Sequence, residues 1–227
     1  MVICFISASY SAEKPLLYVK NNVLAAGIYN NALTSSDMTL IVRADVGGKT
    51  IFDEGYEITY IIPDKDIKDW TTSKFNASDW QKGTSGIGYS DNDDNTVTPA
   101  GITCVYVRYY FDVSNAKDAK EITFWVDYDD AYILWLNGVE VGRSDNINVK
   151  VPAGTIPSWN QVLGIVDHES TDTAAGKPNA TRWTKAVGPG AGQIMKHVAE
   201  YDFGGNSAQP VESKGKLTST WGNIKKM

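Results

Sequence analysis

Cysteine and histidine are scarce, with two of each in 227 residues. Cys4 and Cys104 make neither a disulfide framework nor a zinc-binding pattern. Cys104 falls in an apolar, alternating stretch and reads as a buried thiol; a single Cys4–Cys104 bridge is the other option. His168 has Asp167 and Glu169 beside it, but adjacency in sequence is not triad geometry. Both histidines, His168 and His197, read as surface residues of polar loops. There is no Gly-x-Ser-x-Gly elbow, no His-Glu-x-x-His pair and no phosphate loop. Basic residues are also in the minority, 21 against 27 acidic ones, for a net charge of -6. They are scattered rather than striped, which argues against a nucleic-acid partner. No apolar run approaches the roughly 20 residues of a spanning helix, so no membrane segment is expected. Windows with a 3.6-residue apolar period are few.

What is abundant is aromatic: 11% of residues, including 7 Trp and 12 Tyr. Flat aromatic faces suit β-cores, and they also suit sites that stack on sugar rings. Alternation at period two recurs, predicting strands over 16–18, 23–29, 38–43, 56–62, 104–113, 122–128, 132–136 and 139–142. Asn137-Gly138 between alternating apolar residues predicts a type I′ hairpin, because that turn needs positive φ at both central positions. Gly47-Gly48 predicts a second turn. From residue 154 onward Gly, Pro, Ser, Thr and Asn predominate, so shorter and fewer elements are expected there. The start, residues 1–12, has a short apolar run without a basic flank and is ambiguous, reading at least as well as a strand as it does as a signal peptide. The expected fold class is all-β, an antiparallel sandwich in one domain over 1–227. Within it, 15–45 supply closing strands, 50–150 the main sandwich, and 155–227 a loop-rich extension.

Three blocks carry a resemblance. They are Trp70 with Phe75-Asn-Ala-Ser-Asp-Trp80 and Gly86-Ile-Gly-Tyr89-Ser-Asp-Asn-Asp-Asp-Asn95, then Val105-Tyr-Val-Arg108-Tyr-Tyr-Phe111, then Val126-Asp-Tyr-Asp129-Asp130 running into Asn137-Gly138-Val-Glu-Val-Gly-Arg143. In that order they resemble the galactose-binding-like jelly rolls attached to secreted bacterial glycoside hydrolases. A fourth block, residues 16–41, looks like the closing strands of such a domain, but here it precedes the rest. A circular permutation accounts for this, and so does a chain beginning inside a preceding tandem copy; the permuted single sandwich is the favoured reading.

The resemblance implies a sugar-binding module, secreted or at a bacterial cell surface, with a structural calcium. The hard oxygens of Asp91, Asp93, Asp94 and Asn95 are the candidate calcium ligands, although their spacing is not that of an EF-hand. A solvated turn is the plainer reading of the same residues. Stacking on a pyranose needs a ring, and Trp159, Trp183, Tyr89 and Trp80 are the candidates in loops. Trp80 and Tyr89 also match family positions that tend to pack structurally. Arg143, Asn146 and Arg182 are the candidate hydroxyl partners. Trp125 and Trp135 lie on strands, and alternation alone does not say which ring faces out. Asp127, Asp129 and Asp130 could suggest glycosidase carboxylates, but adjacent strand residues point to opposite faces. The leading expectation is therefore a non-catalytic module that targets a secreted enzyme or complex to a plant-type polysaccharide, alongside other modules of the same polypeptide. A structural or adhesion module and a glycan hydrolase are the alternatives.

Overall fold

The computed structural model of the chain describes residues 13–90, 92–147, 151–161, 163–171, 173–176 and 179–208. The strands among them are β1 (Leu16–Leu17), β2 (Asn22–Tyr29), β3 (Met38–Val46), β4 (Lys49–Phe52), β5 (Glu57–Ile61), β6 (Gln81–Thr84) and β7 (Ile87–Tyr89). They continue with β8 (Thr96–Val97), β9 (Cys104–Phe111), β10 (Glu121–Asp129), β11 (Ala131–Leu136), β12 (Val139–Arg143), β13 (Met195–Glu200) and β14 (Asp202–Phe203). One 3-10 turn, Arg182–Thr184, is the helical element among the described residues.

The fold is an antiparallel β-sandwich of two six-stranded sheets. The first has the order β13-β10-β3-β7-β8, with β4 also on β3; the second runs β12-β11-β2-β9-β5-β6. Only the short pairs β7–β8 and β1–β14 are parallel among the named strands. Strand β2 lies between β9 and β11, and β3 lies against β10. The early segment thus occupies the middle of both sheets.

Alternation builds the core. Leu24, Ala26 and Ile28 of β2, Val105, Val107 and Tyr109 of β9, and Leu134 and Leu136 of β11 face Leu40, Val42 and Ala44 of β3 and Phe124, Val126 and Tyr128 of β10. Each such aliphatic side chain contributes roughly 1.5–3 kcal/mol by leaving water. The second sheet also buries its outer face. Val23, Ala25, Tyr106, Ile133 and Trp135 meet Trp70, Ala77 and Trp80 from the loop between β5 and β6, with Val151 and Leu163. This second apolar layer explains why every residue of β2 and β11 is buried. Arg108, outward on β9 and fully buried, closes that layer: its guanidinium donates to the carbonyls of Trp70 and Thr72.

Asn137 (φ 50°) and Gly138 (φ 95°) both have positive φ, as the type I′ turn requires. Gly47 and Gly48 turn β3 into β4. Cys104 is a free, buried thiol that donates to the Trp159 carbonyl, and burial pushes its pKa up to about 12. Cys4 lies outside the described residues. The expectation of surface histidines is corrected: His168 and His197 are each 3% exposed.

Candidate functional site

The first sheet leaves part of its outer face open. On β10, Ile122, Phe124 and Val126 point into the core, so Thr123 and Trp125 point out. Trp125 is half-buried and opposes Arg43 on β3 and Lys196 on β13. Its indole N–H donates to Asp45 Oδ2 at 3.0 Å, while Arg43 Nε donates to Asp45 Oδ1 at 3.1 Å. One carboxylate therefore fixes the ring and a neighbouring guanidinium together. The Lys196 ammonium stands 4.7 Å from the ring centroid. Beside the ring lies a shallow groove of about 400 Å³, lined by Asp45, Gly47, Gly48, Glu121, Thr123 and Lys196 among others. Such a surface offers a flat apolar face with donors and acceptors at its margin.

The rest of that face is covered by the described parts of segment 168–184, and the cover is ionic. Arg182 has no exposed surface. Its guanidinium donates to the Asp127 carboxylate, to Glu54 Oε2 at 3.4 Å and to the Thr173 carbonyl at 2.5 Å, with Asp93 Oδ2 at 3.9 Å. Three buried carboxylates thus face one cation, and each takes further hydrogen bonds. Thr171 donates its N–H and hydroxyl to Asp127 (3.0 and 2.6 Å), Thr39 and Ser170 donate hydroxyls to Asp93 (2.8 and 3.0 Å), and the N–H groups of Gly176 and Asn179 donate to Glu54 (2.8 and 3.2 Å). A buried charge needs this kind of satisfaction to be tolerated. The next residue, Trp183, is half-buried and donates its indole N–H to Asp53 Oδ1 at 2.8 Å.

The residues grouped by sequence as ligand-binding are dispersed. Trp80 packs on Trp70 and Phe75 in the second apolar layer. Tyr89 is 3% exposed; it donates to the Ser35 carbonyl and accepts from Asn30. Trp159 is half-buried against the second layer, its backbone N–H held by Asp66. Arg143 forms a two-pronged pair with Glu140 (2.6 and 2.8 Å) and reaches the Val151 carbonyl. Asn146 donates its amide to the carbonyls of Asp130 and Val166. Arg182 lies inside the ionic cluster. Of the set, Trp183 alone stands beside the open face. Alternation does not distinguish Trp125 from Trp135; the tertiary cover over Trp135 does.

Asp91 lies outside the described residues. Asp93 is committed to Thr39, Ser170 and Arg182. Asp94 accepts from Thr39 at 3.4 Å, and Asn95 donates to the Ser85 carbonyl. A cation at Asp93 would compete with a guanidinium. Carboxylate oxygens converge elsewhere: those of Asp37, Asp129 and Glu169 lie within 4.8 Å of one another where two loops meet the end of β10. This all-oxygen set suits a hard cation. Nearby, burial raises the Asp130 pKa to about 6, against backbone N–H donation from Asn31 and His168. On the opposite sheet, two further grooves of about 690 and 650 Å³ share Tyr56 and Tyr110.

No protein-family model matches this chain, and no curated protein and no solved structure matches it either.

Proposed function

We propose that the chain is a non-catalytic carbohydrate-binding module of the galactose-binding-like jelly-roll kind. In this reading it acts outside a bacterial cell and holds an enzyme or complex against a plant-type polysaccharide. The observation that carries it is Trp125, an outward ring on the open sheet face, oriented by Asp45 and bordered by a polar groove. A pyranose presents an apolar face of axial C–H groups to such a ring and equatorial hydroxyls to its margin. Asp45, Thr123, Glu121 and Lys196 supply acceptors and donors for those hydroxyls. Lys196 is exposed, and its flexible stem lets the ammonium move to the ring's edge.

Other features support binding over bond cleavage. His197 and His168 are buried and held by Tyr132 and the Tyr128 carbonyl, away from the groove. The Cys104 thiol is buried as well. The permuted reading of the fold draws support from β2, whose partners β9 and β11 both come from residues 104–136, and from β3, one of whose partners is β10. A structural calcium at Asp37, Asp129 and Glu169 belongs to the same proposal; it would tie two loops to the end of β10 and take no part in sugar contact.

Affinity electrophoresis against a panel of soluble plant polysaccharides tests the reading. The wild type is expected to be retarded by at least one, and Trp125→Ala to migrate freely with its melting temperature nearly unchanged. Loss of retardation in Tyr110→Ala but not Trp125→Ala moves the site to the opposite sheet. No retardation on any polysaccharide discards sugar binding.

A further inference from the structure

Trp125 and Trp183 stand in one line across the sheet. The register pairs Lys196 with Trp125 and Trp125 with Arg43. Ala44 pairs with Phe52, so Arg43 and Asp53 are the next positions along on β3 and just past β4. Asp53 holds the Trp183 indole N–H, and Arg43 lowers the Asp53 pKa against the larger effect of burial, which raises it. The line is therefore Lys196, Trp125, Arg43, Asp53, Trp183. It crosses four neighbouring strands and ends on the covering segment.

Two features of this line go beyond ordinary surface decoration. Each tryptophan has its N–H pinned by an aspartate at 2.8–3.0 Å, which orients a half-buried ring. Trp183 also follows Arg182 in the same 3-10 turn, so the buried ion cluster that anchors Arg182 fixes where the Trp183 ring stands. From β10 to β4 is two strand spacings, roughly 10 Å. One sugar ring on Trp125 cannot also reach Trp183; a chain of several can.

We infer that Trp125 and Trp183 are two aromatic contacts of one extended site, which takes an internal stretch of a linear polysaccharide laid across the strands. This rests on the carbohydrate reading above and adds the class of ligand: chain interiors, not isolated sugars or chain ends. Arg43, between the two rings, is the group placed to meet hydroxyls of the middle sugars.

The test is calorimetric titration of the full chain with β-1,4-linked gluco-, xylo- and manno-oligosaccharides of two to six units. Wild type is expected to gain affinity with length until both rings are engaged. Trp183→Ala should bind the shortest ligands like wild type and lose the gain on longer ones, on the order of tenfold. Trp183→Phe keeps an aromatic face and should recover most of that gain, which separates a contact role from damage to the covering segment. If Trp183→Ala follows wild type at every length, the extended site is wrong while the reading at Trp125 stands. If none of the oligosaccharides binds wild type although a polysaccharide retards it in a Trp125-dependent way, the extended linear site is again wrong. If neither class of ligand binds, both fall together.

Discussion

His197 lies between the sheets, its Nε2 2.6 Å from Tyr132 Oη, and burial lowers its pKa from 6.5 to about 4. Its folded pKa is below its unfolded one, so the unfolded chain binds more protons between those values. Stability therefore falls as pH drops from about 6.5 toward 4, by about 3 kcal/mol for this group. Asp130 works the other way: its folded pKa, about 6, exceeds 3.8, so its contribution fades as pH rises through that window. Burial lowers the His168 pKa as well, so two histidines oppose the one carboxyl. Urea unfolding between pH 4 and 7 should show a net loss toward acid, and His197→Phe should flatten the slope. An unchanged slope in that variant would assign the acid loss elsewhere. Arg182 is the other decisive residue. Removing it as Arg182→Met strands Glu54, Asp93 and Asp127 without their cation, and the expected loss is about 3–5 kcal/mol by denaturant titration at pH 7. Trp125→Ala, by contrast, should change stability little and binding greatly.

Among the elements, the β11–β12 hairpin has a strict local requirement. Gly138 has φ of 95°, and a Cβ there would meet Thr72 at 3.1 Å. Gly138→Ala should cost about 1 kcal/mol or more, readable as a lowered melting temperature. That hairpin was legible in Asn137-Gly138, and so were the strands β2, β3, β9, β10 and β11, because each is a run rich in apolar, β-branched or aromatic residues. The short strands β6, β7 and β8 were not. Gln81–Thr84 is polar and Ile87–Tyr89 is three residues long, so pairing partners and not local pattern make them strands. β13 hides in the Gly-rich region, where His197 interrupts the apolar pattern although it faces inward. The site was less legible still. Trp125 and Trp135 have similar local surroundings, and what separates them is a loop far away in sequence that covers one. Trp183 was among the candidates, but its placement depends on Arg182, whose three carboxylate partners come from remote parts of the chain.

The whole molecule covers its two outer faces by different means. The second sheet carries an apolar layer around Trp70, Trp80 and Trp135, while the first carries the ion cluster around Arg182. Trp70→Ala should cost about 3–5 kcal/mol, as emptied aromatic sites do, measured by equilibrium unfolding. Calcium at Asp37, Asp129 and Glu169 would join three distant parts of the chain. Added calcium should raise the melting temperature and a chelator reverse it, with Asp129→Asn abolishing the difference; an unchanged midpoint would remove calcium from the account.

The central position of β2 reaches into how the chain is made. Asn22 meets Phe111 across 89 residues, and Asn137 holds the Val23 N–H across 114. Strand β2 therefore leaves the ribosome before either neighbour and waits with both edges unsatisfied until the chain has grown by about a hundred residues. Such distant pairing places folding in the slow, millisecond-to-second regime of β-proteins. Until β9 and β11 arrive, the Val-Leu-Ala-Ala-Gly-Ile run is a bare adhesive edge, and crowding by nascent neighbours is the hazard this topology carries.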